Sequence, residues 1–312
     1  MAENKSNISS PNFCVPETCG KYNEVFIAGF VLTIPALVVG VYLLCKVKIE
    51  LPNQRITLIN RAICQILSCT HRSMVLLIKL VSKPGVAWLR IELFIDSLSF
   101  IVNRILTMHL IIDHILRIKF PVEYYTHFPE KAVIQIDGGL WIFGNMFALF
   151  ILISANTIGI VQGVYKTMSL ILLFMDIVIV ILGVVLCVIK CNATDSKEDL
   201  SKSHNPSQGK FEKPCSAVKS WPVICSFVIF IFPSELMHVL GNYAPQYSKR
   251  QIVYYDMVLL LIILGYMVDA ITYILLYKEI RKAFCLKLRM KDDITEQRID
   301  IFEDVFYEYR RR

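Results

Sequence analysis

The sequence predicts an all-α protein: a bundle of seven transmembrane helices followed by a short amphipathic eighth helix. Two observations predict it. The 312 residues are 55% hydrophobic and 19% charged, with a mean hydropathy of +0.54, more apolar and less charged than a soluble domain of this length. The excess is also gathered in long blocks, seven of which reach the roughly 20 residues a helix needs to cross a bilayer.

Residues 1–24 are polar and lack an apolar core, so no cleavable signal peptide is read there. The spans follow at about 25–46, 57–81, 87–113, 132–155, 165–190, 216–240 and 251–277. The second and third carry several charges and are the weakest by composition; the other five are clear. Between the fifth and sixth lies an insert at 191–215, CNATDSKEDLSKSHNPSQGKFEKPC, whose Ser, Lys and Asp content reads as a flexible loop. After the seventh span, Lys278 to Lys291 reads as a basic amphipathic helix with Ile280, Phe284 and Leu288 at helical spacing, suited to an anionic inner leaflet and its lipids. Cys285 within it is a palmitoylation candidate. The remainder to 312 is a tail whose Arg310-Arg311-Arg312 is either a solvated cluster or a trafficking signal.

Basic residues beside the spans set the orientation. One side carries Lys46, Lys48 and Arg55; Arg117, Lys119 and Lys131; six lysines from Lys190 to Lys219; and Lys278, Arg281, Lys282, Lys287, Arg289 and Lys291. The other carries only Lys5, Lys21, Lys83, Arg90, Lys166, Lys249 and Arg250. The first side is therefore expected in the cytoplasm, with the N-terminus outside and the C-terminus inside. Asn7-Ile8-Ser9 is then a glycosylation site, while Asn192-Ala193-Thr194 falls on the wrong side.

The net charge of +7 follows from those cytoplasmic loops and does not call for nucleic acid. Of the ten cysteines, Cys45, Cys64, Cys69, Cys187 and Cys225 lie in or beside apolar runs and read as packing residues; Cys14 and Cys19 can pair if extracellular. There is no zinc-type spacing, phosphate loop, nucleophile elbow, serine–histidine pair or aspartate dyad motif. No enzyme, cofactor or metal site is expected.

The stretch IIDHILRIKFPVEYY (111–125) ends the third span with Asp113-His114-Ile115 and continues into a basic segment. It resembles the rhodopsin-like (class A) G-protein-coupled receptors, whose third helix ends Asp-Arg-Tyr before a stretch much like AIKFPVEY. Trp141 in the fourth span, Phe227 and Pro233 six residues apart in the sixth, Asp269-Ala270-Ile271-Thr272-Tyr273 in the seventh and KEIRKAF (278–284) match further motifs of that family. The likeness covers most of 25–290. It implies a plasma-membrane receptor that senses a small extracellular ligand and signals to a heterotrimeric G protein. Asp113, His114, Phe227, Pro233, Asp269 and Tyr273 are the implied coupling and activation residues. The implied mechanism is a population shift between two helix arrangements, hinged at Pro233.

The departures are equally specific. His114 and Ile115 replace the arginine and tyrosine, Gln65 the sodium-binding aspartate, Ile231 the tryptophan before the kink proline, and Ala270 the proline of the seventh helix. The fifth span has no proline. No cysteine lies near the start of the third helix or in 156–166, so the family's extracellular disulfide has no partners. A histidine at 114 is either a weaker, titratable version of the coupling arginine or a relaxed position in a receptor that no longer couples.

Ionisable groups inside a span mark a function or a pair. Those singled out are Arg72, Asp96, Arg104, Asp137, Asp176, Glu235, Asp256 and Asp269. Asp96 lies 18 residues before His114, five helical turns, so both face the bundle. In the family this is where amine receptors place their aspartate; Asp96 is read either as a ligand contact or as a structural partner of Arg72. With Glu235 and His238 these two form a mixed-charge pocket suited to a zwitterion or an amine, unless Glu235 is itself paired or protonated. Arg104 and Asp176, each midway down its span, are read as an ion pair, so exchanging the two charges is expected to restore surface expression lost in either reversal. Two other classes stay open: a non-signalling receptor-like scaffold or dimer partner, and a membrane transporter, which calls for broken helices and internal repeats that the sequence lacks.

Overall fold

A computed structural model describes residues 23–46, 52–81, 86–120, 124, 128–158, 161–201, 221–244 and 249–275. Seven long helices account for most of them: α1 (Asn23–Lys46), α2 (Pro52–Val81), α3 (Val86–Lys119), α4 (Glu130–Ile158), α5 (Val161–Ser201), α6 (Trp221–Ser226, a π turn Phe227–Ile231, then Phe232–Tyr243) and α7 (Lys249–Leu275). Each contains a stretch long and apolar enough to cross a membrane, and no strand occurs among the described residues. The segment expected to form an eighth helix, with Cys285, lies outside the described residues, as do Asn7, Cys14 and Cys19.

Several helices outrun their apolar blocks. α3 continues past Asp113-His114 to Lys119 because no breaker intervenes before Pro121. The residue before a proline is pushed out of the helical region, and Phe120 is the first to leave it. α5 runs to Ser201, eleven residues into the segment read as a flexible loop: Cys191 to Ser201 contains neither Gly nor Pro, so the helix propagates from one already nucleated. The described part of α6 begins at Trp221, and 216–220, where that span was expected to start, lie outside the described residues.

α1 packs on α2 and α7, closing the ring; α3 packs on α2, α4 and α5, and α6 on α5 and α7. α3 is the most enclosed, with 67% of its apolar window buried. α2 explains how a weakly apolar span is stable. Its buried polar residues, Gln54, Thr57, Arg61, Gln65, Ser68 and His71, recur every three or four positions and so form one inward stripe, while Ile63, Met74, Leu77 and Leu80 face outward. The stripe meets a matching one on antiparallel α3: Gln54 lies against His114, Arg61 against Thr107, Arg72 against Asp96. Lipid is as apolar as leucine, so close packing and interhelical polar contacts hold such a bundle together. Packing is tightest at Gly144, where an added Cβ would come within 2.4 Å of Val102 on α3. Cys64 and Cys69 are buried, and the Cys64 thiol donates to the Ser99 carbonyl at 3.1 Å.

Candidate functional site: buried charge networks around α3

Four polar groups are strung along α3. Nearest its start, Arg72 Nη2 lies 3.5 Å from Asp96 Oδ1, and the Arg72 guanidinium stacks 4.7 Å from the centre of the Phe100 ring. Asp96 thus engages the structural partner that the sequence offered as one of its two roles.

Two turns further, Arg104 and Asp176 meet. Arg104 Nε is 2.7 Å from Asp176 Oδ1 and Nη2 is 3.0 Å from Oδ2, a bidentate pair from α3 to α5. Arg104 Nη2 also donates to Glu235 Oε2 on α6 at 2.8 Å, and Nη1 to the Phe100 carbonyl at 3.2 Å. His238 Nδ1 is 3.2 Å from Glu235 Oε1. Glu235 and His238 thus extend the Arg104 pair into a network across α3, α5 and α6, and the Phe100 ring lies against both Arg104 and Arg72.

The third group centres on Arg61, a residue the sequence reading passed over. Its side chain and that of Asp269 are both 0% exposed, with Arg61 Nη2 2.8 Å from Asp269 Oδ2, a charge contact rather than an aligned hydrogen bond. Arg61 Nη1 donates to the Tyr273 hydroxyl at 3.1 Å and Nε to Thr107 Oγ1 at 3.2 Å. Gln65 Nε2 donates to the same Asp269 oxygen at 2.6 Å. Asp269 and Tyr273 are thus brought together by an arginine on α2. The rule that an ionisable residue within a span has a partner or a task applies to Arg61 and was sufficient to find it.

The last group lies toward the end of α3. The Gln54 amide nitrogen is 2.7 Å from His114 Nδ1, and His114 is buried. Because the helix continues to Lys119, His114 sits inside the bundle and not on its terminal surface. Asp113 is held by Arg117 at 2.5 Å, four residues on, and by the Tyr124 hydroxyl. Beside them Asp137 of α4 lies 2.8 Å from His109 Nδ1 and accepts from Asn60 Nδ2 at 2.9 Å.

Phe227 and Ile231 bound the π turn of α6 and are buried; Phe232 N–H reaches back to the Phe227 carbonyl, and Pro233 follows. The turn is pressed against Gly265 of α7, whose added Cβ would lie 3.0 Å from Phe230 and 3.1 Å from Ile231. Trp141 packs on Cys64, Leu98, Val102 and Leu106, and Ala270 is buried in the core. Asp256 is half-buried. Among the described residues, no group of three or more His, Cys, Asp or Glu side chains is placed to hold a metal ion.

No protein-family model matches the chain, and no curated protein matches it. These networks couple helices by charge and hydrogen bonds.

Proposed function

We propose that the chain is a divergent receptor of the rhodopsin-like class in the plasma membrane, with its N-terminus outside and C-terminus inside. It senses a small extracellular ligand near the Asp96 end of α3 and signals through a heterotrimeric G protein at the cytoplasmic ends of α3, α5 and α6. The observation that carries this is the packing order: a ring closed by α1 on α7 with an enclosed α3, in which motif residues of α3 and α7 both engage α2. The Arg104 network ties the ligand half of α3 to α5 and α6, so a ligand that perturbs it changes the relative stability of two α6 positions. The π turn and Pro233 supply the bend, since both loosen the regular hydrogen-bond ladder.

One observation favours the other reading, a receptor-like partner that does not signal. His114 is sequestered against Gln54 and Asp113 is closed by Arg117 and Tyr124, so the residues that would meet a G protein are turned inward.

The test is G-protein activation in cells across all G-protein classes, comparing wild type with His114→Arg at matched surface expression. The receptor reading expects activation above mock by His114→Arg in at least one class. Silence of both proteins in every class favours the non-signalling partner.

A further inference from the structure

α3 carries Trp88, Glu92, Asp96, Phe100 and Arg104 at four-residue intervals, so each neighbours the next along the helix surface. The first three face the end of α2. Lys79 Nζ is 3.0 Å from Glu92 Oε1; Arg72 Nη2 and His71 Nε2 lie 3.5 and 3.9 Å from Asp96 Oδ1; the His71 and Trp88 rings are 6.5 Å apart between centroids. Among these side chains five buried polar atoms make no hydrogen bond: Trp88 Nε1, Arg72 Nε, His71 Nε2, Glu92 Oε2 and Asp96 Oδ1. The His71 side chain is 4% exposed. Native interiors leave few such atoms, and five gathered between α2 and α3 mark a place where a polar molecule can supply the missing partners.

The five atoms specify the chemistry. Trp88 Nε1 and Arg72 Nε only donate, while the Glu92 and Asp96 oxygens, when ionised, only accept. The formal charges of Arg72 and Lys79 balance those of Glu92 and Asp96. A lone amine or a lone carboxylate brings an uncompensated charge into this setting, which a membrane interior penalises; a molecule carrying both signs does not. We infer that the facing ends of α2 and α3 form a subsite for a small zwitterion of the α-amino-acid class. Its carboxylate is received by Trp88 Nε1 and Arg72 Nε, and its ammonium by Asp96 Oδ1 and Glu92 Oε2. The inference rests on the receptor reading for the side from which the ligand arrives, and it refines that reading. Glu235 and His238 leave the contact set because Arg104 engages Glu235. Binding exchanges the Arg72–Asp96 contact for contacts to the ligand, and Arg72 stands on Phe100 beside Arg104, which links the subsite to the α3–α5–α6 network.

The test uses the full-length protein in lipid nanodiscs and the standard L-α-amino acids as probes, each beside the amine that lacks its carboxylate and its N-acetyl form. Binding is read by titration calorimetry and thermal shift. At least one amino acid is expected to bind, with its amine and N-acetyl forms weaker by about tenfold or more, as loss of a charge-assisted partner implies. Trp88→Phe keeps an aromatic ring but loses the pyrrole part of the indole with its N–H; it is expected to weaken binding about fivefold to tenfold while the protein still folds, as its melting transition shows. Asp96→Asn is expected to weaken it further. Amines that bind as well as the amino acids overturn the inference in favour of a cation site. So does the absence of binding by any amino acid up to about 10 mM, beyond which affinity is negligible, and so does binding that ignores both variants. G-protein activation measured in parallel separates the two claims. Amino-acid binding without activation keeps the subsite and sinks the receptor reading; activation by a ligand indifferent to both variants does the reverse.

Discussion

Replacing Arg61 with methionine keeps an unbranched chain of similar length and removes one guanidinium. Three partners lose a contact: the Asp269 carboxylate at 2.8 Å, the Tyr273 hydroxyl at 3.1 Å and Thr107 Oγ1 at 3.2 Å. Removing one member of a buried pair costs about 3–5 kcal/mol, because the other charge stays behind without its counter-ion. Here Gln65 still donates to Asp269 at 2.6 Å, which offsets about 1 kcal/mol. The remainder, about 3 kcal/mol, corresponds to a fall of about 5 °C in melting temperature at an unfolding entropy of about 2 cal/mol/K per residue. The assay is thermal unfolding of purified wild type, Arg61→Met, Asp269→Leu and the double variant in one detergent. The double variant removes both charges and is expected to melt within a few degrees of wild type or above it, since an apolar replacement of a buried pair is often neutral or stabilising. If Arg61→Met melts within about 1 °C of wild type, or if the double variant shows the sum of the two single losses, the α2–α7 clamp is wrong.

Other perturbations have equally definite outcomes. Arg104→Met is expected to lower the melting temperature more than Asp176→Asn, because it leaves two buried carboxylates without their partner, whereas Asp176→Asn leaves Arg104 paired with Glu235. Exchanging Arg104 and Asp176 is now expected not to restore surface expression, since the introduced aspartate faces Glu235; adding Glu235→Gln to the exchange restores it, and recovery by the exchange alone would show that Glu235 is not part of the network. Gly144→Ala drives a Cβ to 2.4 Å from Val102 and is expected to lose about 1–3 kcal/mol in an unfolding assay. Gly138→Ala meets nothing within 4 Å and is expected to gain about 0.5–1 kcal/mol from helix propensity; equal responses at the two glycines would contradict the α3–α4 contact. Lys79→Ala breaks a partly exposed pair with Glu92 and is expected to change stability by less than about 1 kcal/mol, and a loss as large as that of Arg61→Met would contradict the ranking by burial.

The long apolar blocks made the spans legible, but their ends were not, because a helix stops at a breaker and not where apolarity stops. α3 illustrates this: Pro121, seven residues beyond His114, ends it, and the five helical residues Ile115–Lys119 move His114 from an expected terminal surface to a buried contact with Gln54. The Arg104–Asp176 contact was legible because depth along two helices is countable at 1.5 Å per residue. That Glu235 joins them was not, since depth says nothing of the rotation of a third helix interrupted by a π turn. Gln65 drew attention as the replacement of an acid, whereas the charge that now partners Asp269 enters from Arg61, one turn earlier on α2. The polar stripe of α2 made that span look weak by composition, although the same stripe is what holds α2 to α3.

The most direct test of the receptor account is complex formation with a G protein. Wild type and His114→Arg, purified in nanodiscs, are mixed with nucleotide-free heterotrimers and passed over a sizing column. The account predicts that at least one heterotrimer co-elutes with His114→Arg, more weakly with wild type, and that GTPγS dissolves the complex. No co-elution with either protein, for any heterotrimer, contradicts it and leaves the charge networks as the framework of a non-signalling partner.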